Sequence, residues 1–546
     1  MQLRPYQAKA KTDIYNSWAA GNANVLAVLP TGAGKTVLFS DIIREHSAPS
    51  CAIAHRQELV GQISLALARD KVRHRIIGPK SVVRLIVNLH MSEVGASYYD
   101  PSAQCGVAGV DTLVRRGPEL VNWLNSVTLW VQDEAHHVLS DNKWGTAAQM
   151  FPNAKGLGVT ATPLRADGKG LGRKYDGLMD DMIVGPSMRD LIAMKFLTEY
   201  RIFAPPSDID LSGVSLSKAT GDYNRDKMVK AVRKSHVVGD VVEHYLKIAP
   251  GKLGITFATD VQTATDIAAQ FNASGVPAEV VSAKTPDADR ISILRRFKRR
   301  ELLQLVNVDL FGEGFDLPAI EVVSMARPTQ SYGLYVQVFG RGLRIMDGKT
   351  GAIIIDHVGN VVRHGLPDAP REWSLSRRDK RNSSSPDDAI PVKACPQCTG
   401  VYERVYAECP FCGFKPLPMA RSGPEQVDGD LMELSPEALA EMRGEVDRVD
   451  MDPDAHRAEC AAKRMPQIGQ LASVKRHVER QEAQTALRAS IAWWGGYQRA
   501  QGREDSESYR RFYFKFGTDV LSAQSLGTKE ALALAERINT HLGEIG

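Results

Sequence analysis

Apolar positions along the chain follow two regimes. Up to about residue 360, short apolar runs rich in β-branched residues recur, with helically spaced stretches between most of them. Residues 24–29 (Asn-Val-Leu-Ala-Val-Leu) and 127–132 (Val-Thr-Leu-Trp-Val-Gln) read as buried strands, whereas Val37, Leu38, Ile42 and Ile43 are spaced to bury one helical face. From about Ser187 the pattern restarts, with apolar strands at 254–257, 279–281, 303–306, 322–323 and 352–355. Strands alternating with helices predict an α/β fold with two parallel-sheet lobes in tandem. After Asp356-His357-Val358-Gly359-Asn360 the alternation stops. Residues 371–388 are charged and Ser-rich, a linker composition that also has the charge to brush phosphates. Residues 431–448 and 468–499 have largely helical composition.

Length adds that 546 residues exceed what one hydrophobic core serves, so several domains are expected. The boundaries predicted are 1–186 and 187–370 for the lobes, 371–392 for the linker, 393–418 for a cysteine-bearing module and 419–546 for a helical C-terminal region. No run of about 18 apolar residues is present, so no transmembrane helix and no membrane partner are expected. The N-terminus carries no apolar signal segment, which predicts a cytoplasmic protein. The net charge of +4 neither demands nor excludes nucleic acid.

Chemistry enters where the first strand ends, at Pro30-Thr31-Gly32-Ala33-Gly34-Lys35-Thr36. Strand, glycine loop and helix together form a phosphate-binding loop. Gly32 and Gly34 let backbone N–H groups approach phosphate oxygens at a helix N-terminus. Lys35 is placed to reach the β/γ-phosphates of ATP and the Thr36 hydroxyl to sit on Mg²⁺. The strict pattern wants Gly where Leu29 stands, so the loop is a variant. The second strand ends in Asp133-Glu134-Ala135-His136-His137, which places Asp133 to hold Mg²⁺ through water and Glu134 to activate the hydrolytic water. His136 and His137 read as coupling or packing residues, since adjacent histidines point different ways.

Asp133-Glu134-Ala135-His136 together with the phosphate loop resembles the DEAD/DEAH-type helicases of superfamily 2. The nearest resemblance is to the bacterial and bacteriophage group related to type I and type III restriction-enzyme motor subunits. It covers roughly residues 1–365 and implies two RecA-like lobes. Further motifs stand in family order. Leu3-Arg4-Pro5-Tyr6-Gln7 resembles the adenine-reading segment, which assigns Gln7 and Arg4 to the nucleotide. Residues 54–60 and 110–113 resemble motifs Ia and Ib, which implies nucleic-acid contacts for His55, Arg56 and Thr112. Val159-Thr160-Ala161-Thr162-Pro163 resembles motif III, making Thr160 and Thr162 coupling residues.

In the second lobe Phe257-Ala258-Thr259 resembles motif IV, with Thr259 on the nucleic-acid backbone. Residues 307–316 resemble motif V, implying that Gly314 and Asp316 face the nucleotide. Residues 337–344 resemble motif VI. That implies Gln337 at the nucleotide and Arg341 and Arg344, three apart on one helix face, as arginine fingers. The implied protein is an ATP- and Mg²⁺-dependent helicase or translocase acting on nucleic acid, most often DNA, in a bacterial cell, phage-encoded or cellular. An RNA-dependent ATPase that remodels ribonucleoprotein, or the motor subunit of a restriction or defence complex, are the alternative readings.

Three features lie outside these motifs. Arg290, Arg295, Arg296, Lys298, Arg299 and Arg300 form a basic run, but Ile291, Leu294 and Phe297 stripe the same segment, as an amphipathic helix packed on the sheet would. Cys395-Pro-Gln-Cys398 and Cys409-Pro-Phe-Cys412 are two metal knuckles separated by ten residues. Four thiolates leave no open coordination position, so a structural Zn²⁺ in a zinc ribbon is expected. Trp493-Trp494 and Tyr509-Arg510-Arg511-Phe512-Tyr513-Phe514-Lys515-Phe516 interleave aromatic and basic residues. Such a mix suits base stacking or the core of a small helical domain. The C-terminal region is also a candidate surface for a protein partner.

Overall fold

The computed structural model describes residues 2–165, 167–217, 221–308, 320–369, 371, 373–376, 391–415, 446–463 and 465–545. Gly314 and Asp316, much of the expected linker and most of the expected helix at 431–448 lie outside them. The chain divides into two compact units, Met1–Val401 and Tyr402–Gly546.

The first unit holds two parallel α/β lobes. The first lobe contains strands β1 (Asn24–Val28), β2 (Ser50–Ala54), β3 (His74–Ile77), β4 (Cys105–Gly109), β5 (Leu129–Asp133), β6 (Lys155–Thr160) and β7 (Asp181–Val184). They lie in the order β3-β4-β2-β5-β6-β1-β7. Helices α1 (Pro5–Ala19), α2 (Lys35–Glu45), α3 (Gln57–Arg69), α4 (Lys80–Val94), α5 (Val110–Ser126) and α6 (Lys143–Gln149) connect or flank them. Ile14, Leu38, Ile42, Leu59 and Ile63 belong to one apolar core, and Leu113, Leu124, Trp130 and Val138 to a second. A sheet buried on both faces requires near-continuous apolar strands, and β2 and β5 are buried throughout.

Register fixes where the chemistry collects. β6 lies between β1 and β5, with Val28 opposite Thr160 and Asp133 opposite Val159. The phosphate loop after β1, the acidic pair ending β5 and the Thr160–Thr162 turn after β6 therefore leave the sheet side by side. This is the carboxyl edge at which open α/β sheets bind ligands.

After α7 (Met188–Ala193) the second lobe begins with β8 (Tyr200–Phe203), followed by α8 (Arg225–Arg233), α9 (Val237–Ile248), β9 (Gly254–Phe257), α10 (Val261–Ala273) and β10 (Ala278–Ser282). It continues through α11 (Asp287–Lys298), β11 (Gln304–Val308), β12 (Val322–Met325), α12 (Tyr332–Gly340), β13 (Ala352–Asp356) and α13 (Asn360–His364). Its sheet has the order β10-β11-β9-β12-β13-β8 and is parallel throughout. The basic run lies on α11 and its C-terminal end. Phe297 is buried, while Arg296 pairs with Glu279 and Arg300 with Glu321. Arg290 does more than solvate a face: it crosses to Glu58 at the start of α3 in the first lobe, at 2.8 Å.

Two of the chain's passages between the lobes lie side by side. Residues 185–188 line the same 110 Å³ cavity as Pro367, Asp368, Ala369, Arg371 and Trp373, and Arg189 pairs with Asp368 beside it. Beyond α13 the return segment ends on the first lobe. There Gly172 N–H donates to the Leu375 carbonyl at 2.9 Å, and Trp373 and Leu375 pack on that lobe's second core.

In the second unit, helices Gln467–Ala500, Asp505–Phe516 and Thr528–Ile545 enclose a core of Ala483, Leu487, Trp494, Phe512, Phe516, Leu534 and Ile538. Of the interleaved aromatic residues, Trp494, Phe512 and Phe516 are thus core packing. Trp493 and Tyr509 remain exposed, at 53% and 56%. A two-stranded ribbon, β14 (Val392–Ala394) with β15 (Val401–Glu403), begins in the first unit, whose limit at Val401 falls within β15, and the cysteine pairs follow its two strands. No described helix is long and apolar enough to cross a membrane.

Candidate functional site

The phosphate loop bends through two left-handed glycines, Gly32 at φ +87° and Gly34 at +77°. Side chains rarely adopt that region. A Cβ on Gly34 would also lie 2.6 Å from the Gln7 amide nitrogen, so a side chain there would displace the buried Gln7 amide. Gln7 is buried. Its amide donates to the Ala33 carbonyl at 2.9 Å and the Gly34 carbonyl at 3.2 Å, while its own oxygen accepts from the Arg4 N–H at 2.9 Å. Tyr6 adds a hydroxyl donated to the same Ala33 carbonyl at 2.8 Å. Arg4 stacks on Phe196, 4.6 Å from the ring centroid. The segment expected to read adenine is thereby wired to the loop expected to hold the phosphates.

Lys35 opens α2, and its ammonium reaches back to the Leu29 carbonyl at 3.3 Å. Burial pulls its pKa down, Glu134 and Asp133 push it up, and Arg341 and Arg344 lower it again. Five charged groups therefore share one cleft. Asp133 is 7% exposed, and burial together with repulsion from Glu134 raises its carboxyl to about 6. Such a carboxylate gains most from a dication, which supplies the missing counter-charge. Asp133 and Thr36 would hold Mg²⁺.

Glu134 sits at φ +51°, a left-handed conformation that costs a non-glycine residue on the order of 1 kcal/mol. The turn aims its carboxylate at His136, whose Nδ1 lies 3.4 Å away. The same nitrogen lies 3.2 Å from the Thr160 hydroxyl, which in turn donates to the Thr162 carbonyl at 3.0 Å. Acidic pair and Thr160–Thr162 turn are thus linked through one imidazole. Arg165 donates to the His136 carbonyl at 3.0 Å and braces it. His137 stacks on Trp144 with ring centroids 5.0 Å apart and meets His55 edge-on at 5.4 Å, a packing role.

The second lobe closes this cleft with one face of α12 and the turn after it. A Cβ on Gly333 would lie 3.0 Å from the Thr162 hydroxyl. Gln337 donates its amide to Glu134 at 3.2 Å. At Gly340 a Cβ would meet the Thr31 Cβ at 2.5 Å, so glycine is the residue that fits. Positions 333, 337, 340 and 341 fall on one helical face. The helix ends at Gly340, with Arg341 as its C-cap and Arg344 beyond the turn. The two arginines therefore do not share a helix face as the spacing predicts. Both nonetheless act on Lys35, because the turn folds back toward the cleft.

The expected nucleic-acid residues are dispersed. Arg56 lines a 310 Å³ cavity with Phe257, Asn307, Arg327 and Thr329 of the second lobe. His55 packs edge-on against His137. Thr112 is half-buried in the first turn of α5. Thr259 is 1% exposed and donates its hydroxyl to Asp260, the N-cap of α10.

In the ribbon, one ligand atom from each of Cys395, Cys398, Cys409 and Cys412 lies within 4.8 Å of the others. Tetrahedral zinc with Zn–S bonds of about 2.3 Å places sulfurs about 3.8 Å apart, so this donor set needs only a small contraction. Each pair is followed by a left-handed residue, Thr399 at φ +56° and Gly413 at +72°, which turns the chain back. There the Thr399 N–H donates to Cys395 and the Gly413 N–H to Cys409. The set fits a structural zinc.

Several of these features carry no local signal in sequence. Gly340 and Gly333 look like ordinary helix residues, and Arg165 like a loop cation. Their roles depend on what faces them across the cleft.

Comparison with known proteins agrees with this geometry. Residues 1–165 match the family described as Type III restriction enzyme, res subunit, and residues 237–346 match the helicase conserved C-terminal domain. A 51.5 kDa protein of a Lactococcus phage is 31% identical over 393 residues, 70% of this chain and 76% of its own length. A Saccharomyces cerevisiae protein provisionally named ATP-dependent helicase IRC3 is 29% identical over 379 residues, 65% of this chain and 51% of its own. The DNA 3'-5' translocase XPB2 of Sulfurisphaera tokodaii is 25% identical over 414 residues, 69% of this chain and 84% of its own. The chain therefore spans about half the length of the yeast protein. With two RecA-like lobes and this pair of matched domains, the chain belongs to the superfamily 2 ATP-dependent helicases, in the group related to restriction-enzyme motor subunits.

Proposed function

We propose that the protein couples ATP hydrolysis to movement along DNA, and that this movement unwinds or remodels forked or branched duplexes. The observation that carries the reading is the contact of α12 with the acidic pair. Gln337 of one lobe reaches Glu134 of the other at 3.2 Å, so a change at the nucleotide is felt across the cleft. The choice of DNA is supported by relatives named for a restriction enzyme and a DNA translocase.

In this reading Lys35 and the loop N–H groups hold the β- and γ-phosphates, with Gln7 and Arg4 beside the base. Mg²⁺, when bound, neutralises phosphate charge and orients the γ-phosphoryl group. Glu134 accepts the proton of the attacking water, and Arg341 and Arg344 offset the charge that develops on the γ-phosphate. The resemblance to motif V assigns Gly314 and Asp316 to the nucleotide as well. His55, Arg56, Thr112 and Thr259 are assigned to the nucleic-acid path, with the buried Thr259 acting through its backbone. Closing and reopening alternate two grips on one strand, which yields net movement. The phage relative fits a phage-encoded protein working in a bacterial cytoplasm.

The match of residues 1–165 to a restriction-enzyme subunit favours a second reading, the motor of a larger restriction or defence complex whose partner docks on the C-terminal region. Steady-state ATP hydrolysis with no polymer, single-stranded DNA, forked DNA or single-stranded RNA tests both. Stimulation greatest with forks supports the first reading. Stimulation by RNA alone would replace DNA with ribonucleoprotein as the target. No response to any polymer would leave the motor dependent on a partner.

A further inference from the structure

The ammonium of Lys349 grips the turn that carries Arg344. Past the end of α12 the chain runs through Arg341 to Arg344 and doubles back at Met346–Lys349. There the Lys349 N–H donates to the Met346 carbonyl at 3.1 Å, and Gly348 is left-handed at φ +79°. This returns the Lys349 ammonium onto three carbonyls: Ile320 at 2.8 Å, Arg344 at 3.0 Å and Gly342. The intervening Leu343 carbonyl accepts from the Thr198 N–H at 2.9 Å. Carbonyls beyond a helix end otherwise lack partners, and a cation there also meets the negative end of the helix dipole. Ile320 leads into β12 and is buried, so the ammonium pins the turn to the sheet.

We propose that Lys349 is a positioning residue that holds Arg344 in the ATP cleft by clasping the backbone on both sides of the turn. The proposal rests on the assignment of Arg344 to the γ-phosphate. Three donors match three acceptors, and an uncharged amine has only two N–H donors and no dipole attraction. Among the described residues, the charged groups facing Lys349 are few. Glu321 is the carboxylate that favours the ammonium, and it is held by Arg300 at 2.8 Å, Lys252 at 3.4 Å and the Leu253 N–H at 3.1 Å. Arg344 adds a guanidinium on the clasped turn, and Asp347 on the same turn is exposed. Burial outweighs Glu321 and brings the Lys349 ammonium down to about 8. The charged form therefore dominates below that pH and is lost as pH rises through it. The clasp, and kcat with it, should weaken on the alkaline side.

The test is DNA-stimulated ATP hydrolysis by the full chain between pH 6.5 and 9.5 in wild type, Lys349→Met, Lys349→Arg and Arg344→Ala, with melting temperatures alongside. The expected result for Lys349→Met is a kcat about tenfold lower at pH 7, with KM for ATP within about twofold of wild type, as for a misplaced transition-state contact. Wild-type kcat should fall above about pH 8. Lys349→Arg, which stays charged, should restore most of the rate and remove that fall. A Lys349→Met rate equal to wild type, beside an inactive Arg344→Ala, would overturn the proposal and leave the arginine-finger reading standing. An active Arg344→Ala would overturn both. If Lys349→Met does not fold, wild type and Lys349→Arg decide: identical profiles across pH 8 would overturn the clasp.

Discussion

Gln337 of the second lobe donates its side-chain amide to the carboxylate of Glu134 in the first, at 3.2 Å. The residue assigned to activate water is thereby in contact with the opposing lobe. Glu134→Gln should lower steady-state phosphate release by about a thousandfold or more while leaving binding of a fluorescent ATP analogue nearly intact, since it removes the base and not the phosphate cradle. Gln337→Ala should lower DNA stimulation more than the basal rate. Equal losses in both would show that the contact serves hydrolysis alone.

Gly340 has no room for a methyl group, because its Cβ would lie 2.5 Å from the Thr31 Cβ. Gly340→Ala should hold the lobes apart at the phosphate loop. The expected outcome is a kcat lower by about ten- to a hundredfold, the range for small misplacements at a reacting centre. The first lobe should still bind nucleotide, which equilibrium binding of the analogue checks. A near-normal turnover rate would mean that the loop yields easily.

Three histidines are buried as neutral rings, chiefly through desolvation. His74 and His364 are brought to about 4 and His357 to about 3. Each binds its proton more weakly folded than unfolded, so stability is fully present above the ordinary histidine range and drains away as pH falls from about 6.5 toward 4. The limiting slope is on the order of 1 kcal/mol per pH unit for each ring. The melting temperature should therefore drop by several degrees between pH 7 and pH 5. A flat profile would mean that the three rings are hydrated in solution.

The cysteine cluster should bind one zinc ion per chain, measured by elemental analysis of protein purified without added metal. Cys409→Ser should lose it. Because the ribbon's described strands are only three residues each, metal loss should make the segment around residues 392–414 protease-sensitive. Basal ATP hydrolysis should persist.

The architecture was largely legible in sequence. Parallel strands buried on both faces leave continuous apolar runs such as residues 127–132, and glycine loops announce themselves by composition. The clustering of Lys35, Asp133 and Glu134 followed from motif order, because strand adjacency in such sheets places those loops together. What escaped was decided by faces meeting across the cleft. Arg290 belongs to a basic stripe with a solvated appearance, yet it bridges to Glu58 in the other lobe. Arg344 was expected on a helix, but α12 stops at Gly340, a residue with poor helix propensity, and Lys349 captures the carbonyls beyond. The aromatic-basic stretch from Tyr509 to Phe516 was ambiguous because the helical period puts some of its rings inward and others outward.

The paired crossings between the lobes bear on how such a cleft can move. A single thread of chain would let one lobe swing and also twist against the other. Two threads bound to each other by Arg189 and Asp368, around a shared cavity, behave instead like the two pins of a door hinge. Rotation about their common line would stay softer than torsion across it. Such a pair of threads would favour motion along one arc, returning Arg341 and Arg344 to the same place in each cycle.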